Sequence, residues 1–379
     1  MRIPSFFLIV TVVMGLLHAY IGLRILPDLP VGDPWRTIGA ALLLASFVLM
    51  PMSVLSRGIR KQPLSDLLAW AGSLFMGLFS SLLILTLLRD LALLGTALLA
   101  SASTFDMVAV RSSVAVPALA LLATLVGFIN ARRRAPIKHV EVPIDGLPAA
   151  LHGFTIAQIS DIHVGPTIKR RYLDAIVDAV NGIGADMIAV TGDLVDGSVH
   201  DLAPHTQPLA RLQARHGSYF VTGNHEYYSG APAWTAELRR LGLTVLTNGH
   251  RVLEHDGAML VVAGVPDYSA HHFDPADRSD PAAAIRGAPE DAPRILLAHQ
   301  PRSAPAAAAA GFHLQLSGHT HGGQFWPWNH FVRLQQPFIG GLDRLGGLWV
   351  YTSRGTGYWG PPKRLLVPSE ITRIRLVSG

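Results

Sequence analysis

Five short β-rich apolar runs in the C-terminal two thirds of the chain each end on residues of one chemical kind. Phe154–Ser160 is followed by Asp161 and His163, Met187–Thr191 by Gly192 and Asp193, and Tyr219–Thr222 by Gly223, Asn224 and His225. Ile295–Ala298 ends at His299, and Leu314–Ser317 leads into Gly318, His319 and His321. Carboxylates, an amide and imidazoles are together the ligands of a hard or borderline divalent cation. The sequence contains no cysteine, which excludes disulfides, thiolate metal sites, Fe–S clusters and a cysteine nucleophile. Mn, Fe, Zn or Mg would suit the remaining ligand types. Asp161, His163, Asp193, Asn224, His299, His319 and His321 are too many for one ion. They suffice for two divalent metal ions with one carboxylate shared between them.

The elements that must position these residues follow from the same pattern. From Phe154 the chain alternates short apolar runs with longer helical patterns, the signature of an α/β layered domain. A sheet sets the C-terminal ends of neighbouring strands along one edge, where short loops converge on a ligand. Gly192, Gly223 and Gly318 stand directly before their polar residues, where the missing Cβ permits a tight turn and close approach to an ion. Asp196 and Glu226 could equally cap a helix or pair with an arginine. The Ala-rich run Ala304–Ala310 reads as a plain helix, and the other twelve histidines, His271 and His272 included, as ordinary packed residues.

Taken in order, Asp161-Ile162-His163, Gly192-Asp193-Leu194-Val195-Asp196, Gly223-Asn224-His225-Glu226, His299 and Gly318-His319-Thr320-His321 resemble the motif blocks of the calcineurin-like metallophosphoesterases. The resemblance runs from about Ile137 to the C-terminus, and five separated blocks in order make it highly specific. It implies a four-layer αββα sandwich. It also implies that Asp161, His163 and His321 hold one metal, Asn224, His299 and His319 the other, and that Asp193 bridges them. By the same resemblance His225 is no ligand but stabilises phosphoryl oxygens and protonates the leaving group, and Asp196 stands behind the ligands. Gly322-Gly323-Gln324 and Ser353-Arg354-Gly355-Thr356-Gly357 are similar to a branch of membrane-attached bacterial phosphodiesterases. Some relatives in that branch cleave the pyrophosphate of UDP-2,3-diacylglucosamine.

The first third of the chain has a different composition. Four apolar stretches, Phe6–Leu23, Thr37–Val54, Leu67–Leu88 and Val114–Ile129, each approach the ~20 residues that span a bilayer. We read an all-α transmembrane anchor over residues 1–131, a linker leading into the next domain over 132–150, and the metallophosphoesterase domain over 151–379. A cleaved signal peptide is the competing account of the first stretch, where Arg2 precedes an apolar run, but three further runs favour a first span. Arg57, Arg60 and Lys61 follow the second stretch and Arg132, Arg133 and Arg134 the fourth, so both termini and the catalytic domain are expected on the cytoplasmic side of a cell inner membrane. Leu91–Ala102, separated from the third stretch by Arg89 and Asp90, reads as a re-entrant or interfacial segment. The net charge of +5 has its excess at the ends of apolar segments, which topology explains more simply than nucleic acid does.

These features imply a membrane-anchored phosphoesterase acting on a phosphodiester or pyrophosphate. Two metals lower the pKa of a bridging water and clamp the phosphoryl oxygens, so that hydroxide attacks in line without a covalent intermediate. Phe325, Trp326, Trp328, Tyr358 and Trp359 follow the motifs and suit either a lipid-facing rim or core packing. Arg333, Arg354, Lys363 and Arg364 could hold an anionic head group or be plain solvated charges. With the anchor, they favour a lipid-linked substrate. The alternatives are a non-catalytic membrane sensor or scaffold with a metal-binding domain, and a nucleotide or nucleic-acid phosphodiesterase with a basic groove.

Overall fold

The computed structural model describes residues 5–59 and 61–379, so Arg2 and Arg60 lie outside the described residues. The chain divides into two compact units, one of Met1–Ile129 with Gly360–Lys363 and one of Asn130–Trp359 with Arg364–Gly379.

The first unit is helical: α1 (Ser5–Ile25), α2 (Asp33–Leu49), the single turn α3 (Met52–Leu55), α4 (Leu64–Leu99) and α5, which starts at Ala102 and ends at Arg132. Among the described residues, four helices are long and apolar enough to cross a membrane. Their outer faces expose large apolar side chains such as Leu16, Leu42, Leu67, Leu98 and Leu121, the inverse of a soluble bundle. Leu91–Leu99 is not a separate interfacial segment but the last part of α4, which runs unbroken for 36 residues. The reason is pairing with residues on other helices and in the turn after α1. Arg89 is buried and donates to Arg24 O (2.7 Å), Ser112 Oγ (2.9 Å), Ala109 O (3.1 Å) and the Asp28 carboxylate. Asp90 accepts from Arg24 Nε (2.9 Å) and Tyr20 OH (2.8 Å). Charges satisfied this fully need no break to reach water. In the same unit Lys363 Nζ donates to Gly77 O (2.8 Å) and to Ser81 Oγ.

The second unit is built on two six-stranded sheets. The first contains β1 (Ile137–Ile144), β2 (Thr155–Ile159), β3 (Met187–Val190), β4 (Ser218–Phe220), β5 (Thr244–Val245) and β12 (Ile371–Ser378), in the order β1-β12-β2-β3-β4-β5. Within it β2 to β5 are parallel, β12 runs antiparallel to β2, and β1 pairs parallel to β12 over eight residues. Part of the stretch expected as linker thus supplies a sheet edge. The second sheet contains β6 (Gly249–His255), β7 (Ala258–Gly264), β8 (Arg294–Leu297), β9 (Leu314–Ser317), β10 (Gly341–Leu345) and β11 (Leu348–Thr352). Its order is β10-β11-β9-β8-β7-β6, with β7, β8, β9 and β11 parallel.

Ile156, Met187, Tyr219, Ile295 and Leu316 pack in the cluster between the sheets. Helices α6 (Arg170–Asn181), α7 (Val199–Thr206) and α9 (Ala231–Arg240) cover the first sheet through Leu173, Ile176, Leu202 and Trp234, while α8 (Asn224–Ser229) follows β4. On the second sheet α10 (Pro281–Ala284) and α11 (Ala304–Ala309) pack Ala284, Ala304 and Ala307 against Leu296 and Val350. The layers are therefore αββα. Strands such as β2, β3 and β9 are buried at every position, and β3, with the sequence MIAV, reads as a continuous apolar run. That is why β3 was visible in the sequence.

Candidate metal centre

The expected ligand residues leave the C-terminal ends of β2, β3, β4, β8 and β9, and the two sheets bring them together. Ligand atoms of Asp161, His163 and His321 lie within 4.8 Å of one another, and so do those of Asp193, His299 and His319. A third grouping of His163, Asp193 and His225 joins them. Asp161, His163, Asp193, Asn224, His225, His299 and His321 are all buried, and His319 is half-buried.

The donor atoms face one another. His163 Nε2 stands 3.0 Å from His321 Nε2, and His319 Nδ1 stands 3.2 Å from His299 Nε2. His299 Nε2 is 3.1 Å from Asp193 Oδ2. Asn224 Oδ1 is buried with no hydrogen-bond partner, which native interiors seldom leave so. Lone pairs aimed inward, together with an orphaned amide oxygen, fit divalent cations held by N and O donors.

Glycine keeps the loops close. A Cβ on Gly223 would collide with the Asp193 carboxylate, and one on Gly318 with the Asp161 carboxylate and Ser160 Oγ. Gly192 alone of the three is left-handed, with φ of 88°, and a Cβ there would strike Gly223 N and His299 Nδ1. Close approach, more than turn geometry, is what the three positions require. The carboxylates also brace the loops. Asp161 accepts from His319 N (2.9 Å) and Asp193 Oδ1 from His225 N (2.8 Å).

The residues around the donors set their orientation. His299 Nδ1 lies 2.7 Å from Thr191 O, which directs Nε2 inward. Asp196 Oδ1 meets His163 Nδ1 (3.2 Å) and His225 Nδ1 (2.5 Å), so one carboxylate orients both rings. Glu226 does more than cap α8. It accepts from Gly223 N (2.6 Å), Asp193 N (3.0 Å), Leu194 N (2.8 Å) and Val195 N (3.3 Å), tying the loop after β3 to the loop after β4. The Gly223/Glu226 spacing of a capping box was the available signal for the cap. Nothing local marked the second loop it holds. Arg364 is no solvated charge: it is buried, donates from Nη1 to His321 O (2.9 Å) and places Nη2 3.1 Å from His321 Nδ1. Lys363 is buried as well, Phe325 and Tyr358 are core residues, and Trp328 and Trp359 are exposed.

Charge is shared unevenly among these groups: burial opposes the charge on His299, yet Asp193 and Asp161 hold its imidazole well above its usual range, while burial lifts Asp161. Burial works against the charge on Asp193, but His299 and His225 hold its pKa well below the usual carboxylate range. Burial, with neighbouring His299 for His319 and His163 for His321, pushes both imidazoles down, His319 to about 3. They stay neutral with lone pairs available for coordination. For His225 burial again opposes charge, yet Asp193 and Asp196 raise it to about 9, leaving it a proton carrier at neutral pH.

Comparison with known proteins agrees with this geometry. Residues 154–323 match the calcineurin-like phosphoesterase family. A transmembrane protein with metallophosphoesterase domain from Danio rerio is 38% identical over 270 residues, covering 68% of this chain and 62% of its own length. One from Bos taurus is 40% identical over 276 residues, covering 69% and 62%. This chain thus spans under two thirds of those two relatives. An uncharacterized metallophosphoesterase of Campylobacter jejuni is 30% identical over 379 residues, 98% of each chain. Two sheets converging on clustered Asp and His side chains, and likeness along nearly the whole length of a bacterial metallophosphoesterase, establish that the chain belongs to the calcineurin-like metallophosphoesterase family.

Proposed function

We propose that this chain is a membrane-anchored phosphoesterase that hydrolyses a phosphodiester or pyrophosphate carried on a lipid. The observation that carries the reading is the clustering of Asp161, His163, Asp193, His299, His319 and His321, with His225 held by Asp196 at their side. In this reading Asp161, His163 and His321 hold one divalent cation, Asn224, His299 and His319 the other, and Asp193 bridges. Such a pair supplies an activated water and neutralises phosphoryl oxygens. His225, fixed through Nδ1 by Asp196, binds the phosphoryl group and gives its proton to the leaving oxygen. The absence of cysteine and the softness order of the remaining ligands favour Mn, Fe, Zn or Mg.

The four apolar helices support residence in a bilayer, and Arg57, Lys61 and Arg132–Arg134 support a cytoplasmic catalytic unit on an inner membrane. A tethered site gains effective concentration over a substrate confined to the same surface.

The test compares two variants of the full chain in detergent with Mn²⁺ supplied, on phosphomonoesters, phosphodiesters and lipid pyrophosphates. His225→Asn should retain bound metal and lose turnover by 10²-fold or more, on the order of a general-acid contribution. Asp193→Asn should lose metal as well. Full metal-dependent hydrolysis by Asp193→Asn would sink the bridging assignment. A soluble aryl diester turned over as well as every lipid substrate would sink the lipid preference.

A further inference from the structure

The segment between His321 and β10 carries an apolar surface that the metal centre does not use. Residues 327–335 run as successive 3₁₀ turns: His330 N donates to Pro327 O (3.0 Å), Phe331 N to Trp328 O (2.9 Å), Leu334 N to Phe331 O (3.0 Å) and Gln335 N to Val332 O (2.9 Å). Three residues complete one such turn, so positions i, i+3 and i+6 eclipse. Trp328, Phe331 and Leu334 therefore form one stripe, 39%, 53% and 83% exposed, with the first two rings 5.9 Å apart. Gln336, on the inward side of the same segment, is buried.

Three large side chains aligned toward water call for a covering surface, and the charges around them favour one kind. No aspartate or glutamate occurs between Asp291 and Asp343, while Arg333 and His330, both exposed, lie within the stripe's own turns. Trp, Phe and Leu beside an arginine, with no carboxylate in the neighbouring sequence, is the composition that settles at the headgroup level of an anionic bilayer. Trp326 N also donates to Leu365 O (3.1 Å), and the next residue, Leu366, is 78% exposed. That adds an aliphatic side chain from the segment paired with this one. A protein partner would be recognised as readily through acidic or neutral rims, and a basic rim alone gives it no preference.

We propose that the stripe Trp328–Phe331–Leu334 inserts among the headgroups of an anionic bilayer and holds the loop that follows His321 against the lipid surface. The proposal rests on the reading above that the apolar helices span that bilayer. The stripe is an interfacial contact added to the spans, and it presents the catalytic unit to a substrate that lies in the lipid layer.

Because the chain has no cysteine, single-cysteine labelling of the full protein is clean. Phe331→Cys and Leu334→Cys, with Met259→Cys on β7 as an exposed apolar control, would carry a nitroxide in vesicles of phosphatidylcholine with and without phosphatidylglycerol. Collision with oxygen, enriched in lipid, is compared with collision with an aqueous nickel chelate. The expected result is an oxygen-to-nickel ratio several-fold higher at 331 and 334 than at 259, larger when phosphatidylglycerol is present. Equal ratios at all three positions in anionic vesicles, or protection of 331 and 334 from both agents, would overturn the proposal. Equal insertion without phosphatidylglycerol would overturn its anionic preference. In parallel, the Phe331→Ser, Leu334→Ser double variant should hydrolyse a soluble aryl phosphodiester at the parent rate and a vesicle-embedded diester about tenfold more slowly. If the parent chain hydrolyses neither substrate, the functional reading fails while the collision ratios still decide the docking.

Discussion

Asp161, His163, Asp193, His319 and His321 hold φ at 54°, 57°, 51°, 71° and 50°. None is a glycine, and a left-handed residue with a side chain costs on the order of 1 kcal/mol or more. A site that stores this strain and packs lone pairs together is incomplete without its cations. The melting temperature of the catalytic unit should therefore rise with added Mn²⁺, by the equivalent of ~2.7 kcal/mol when free metal stands at a hundred times its Kd. Calorimetry on Asp193→Asn should show no such rise, and a rise equal to the parent's would refute the link. Glu226→Gln puts an amide NH₂ where a carboxylate now receives four backbone N–H groups, at about 1–3 kcal/mol. Denaturant unfolding should register that loss, with weaker metal binding in parallel. The donors were readable in the sequence because each follows a strand directly. Glu226 and Arg364 were not, since the loops they hold lie 31 or more residues away and leave no trace in local spacing.

The elements show the same division. The runs before the donors fall within two residues of β2, β3, β4, β8 and β9, since their buried Ile, Leu, Val and Ala residues gather just ahead of the polar ones. β1, with the sequence IKHVEVPI and one face outward, lies in the stretch expected as linker and domain entry, since Lys138, His139 and Glu141 interrupt its apolar residues. The third membrane stretch was ended at Leu88 for an analogous reason. Local composition shows Arg89 and Asp90, but their partners Arg24 and Asp28 lie more than sixty residues earlier. Arg89→Ala would leave the Asp28 carboxylate, 39% exposed, and two backbone carbonyls without their donor, at about 1–3 kcal/mol. Thermal unfolding in detergent should fall accordingly. Arg89→Lys should recover only part, because an ammonium cannot reproduce the guanidinium fork. An unchanged melting curve for Arg89→Ala would show the network to be dispensable.

For the whole molecule, the proposed orientation rests on where its arginines lie, and the cysteine-free background makes it measurable. Val31, in the turn between α1 and α2, and Glu290, in the loop before β8, are both exposed. In intact cells a membrane-impermeant maleimide should label Val31→Cys and spare Glu290→Cys. The reverse pattern would invert the topology. The helical third and the αββα class were both legible, one from runs of apolar residues and the other from strand-end motifs. What composition could not reveal is that the first sheet is closed by a strand from far along the chain.

That closure has a consequence for biosynthesis. β12 lies between β1 and β2, yet the ribosome reaches its first residue, Ile371, long after Ile137, the first of β1. At ~5–20 residues per second the interval is roughly 10 to 50 seconds. Throughout it the nascent chain, its helices already emerged, carries β1 and β2 with the edges that β12 will fill still unpaired, and such edges recruit other strands. Shielding those edges during synthesis should raise the yield of folded protein, which expression with and without added chaperone would measure.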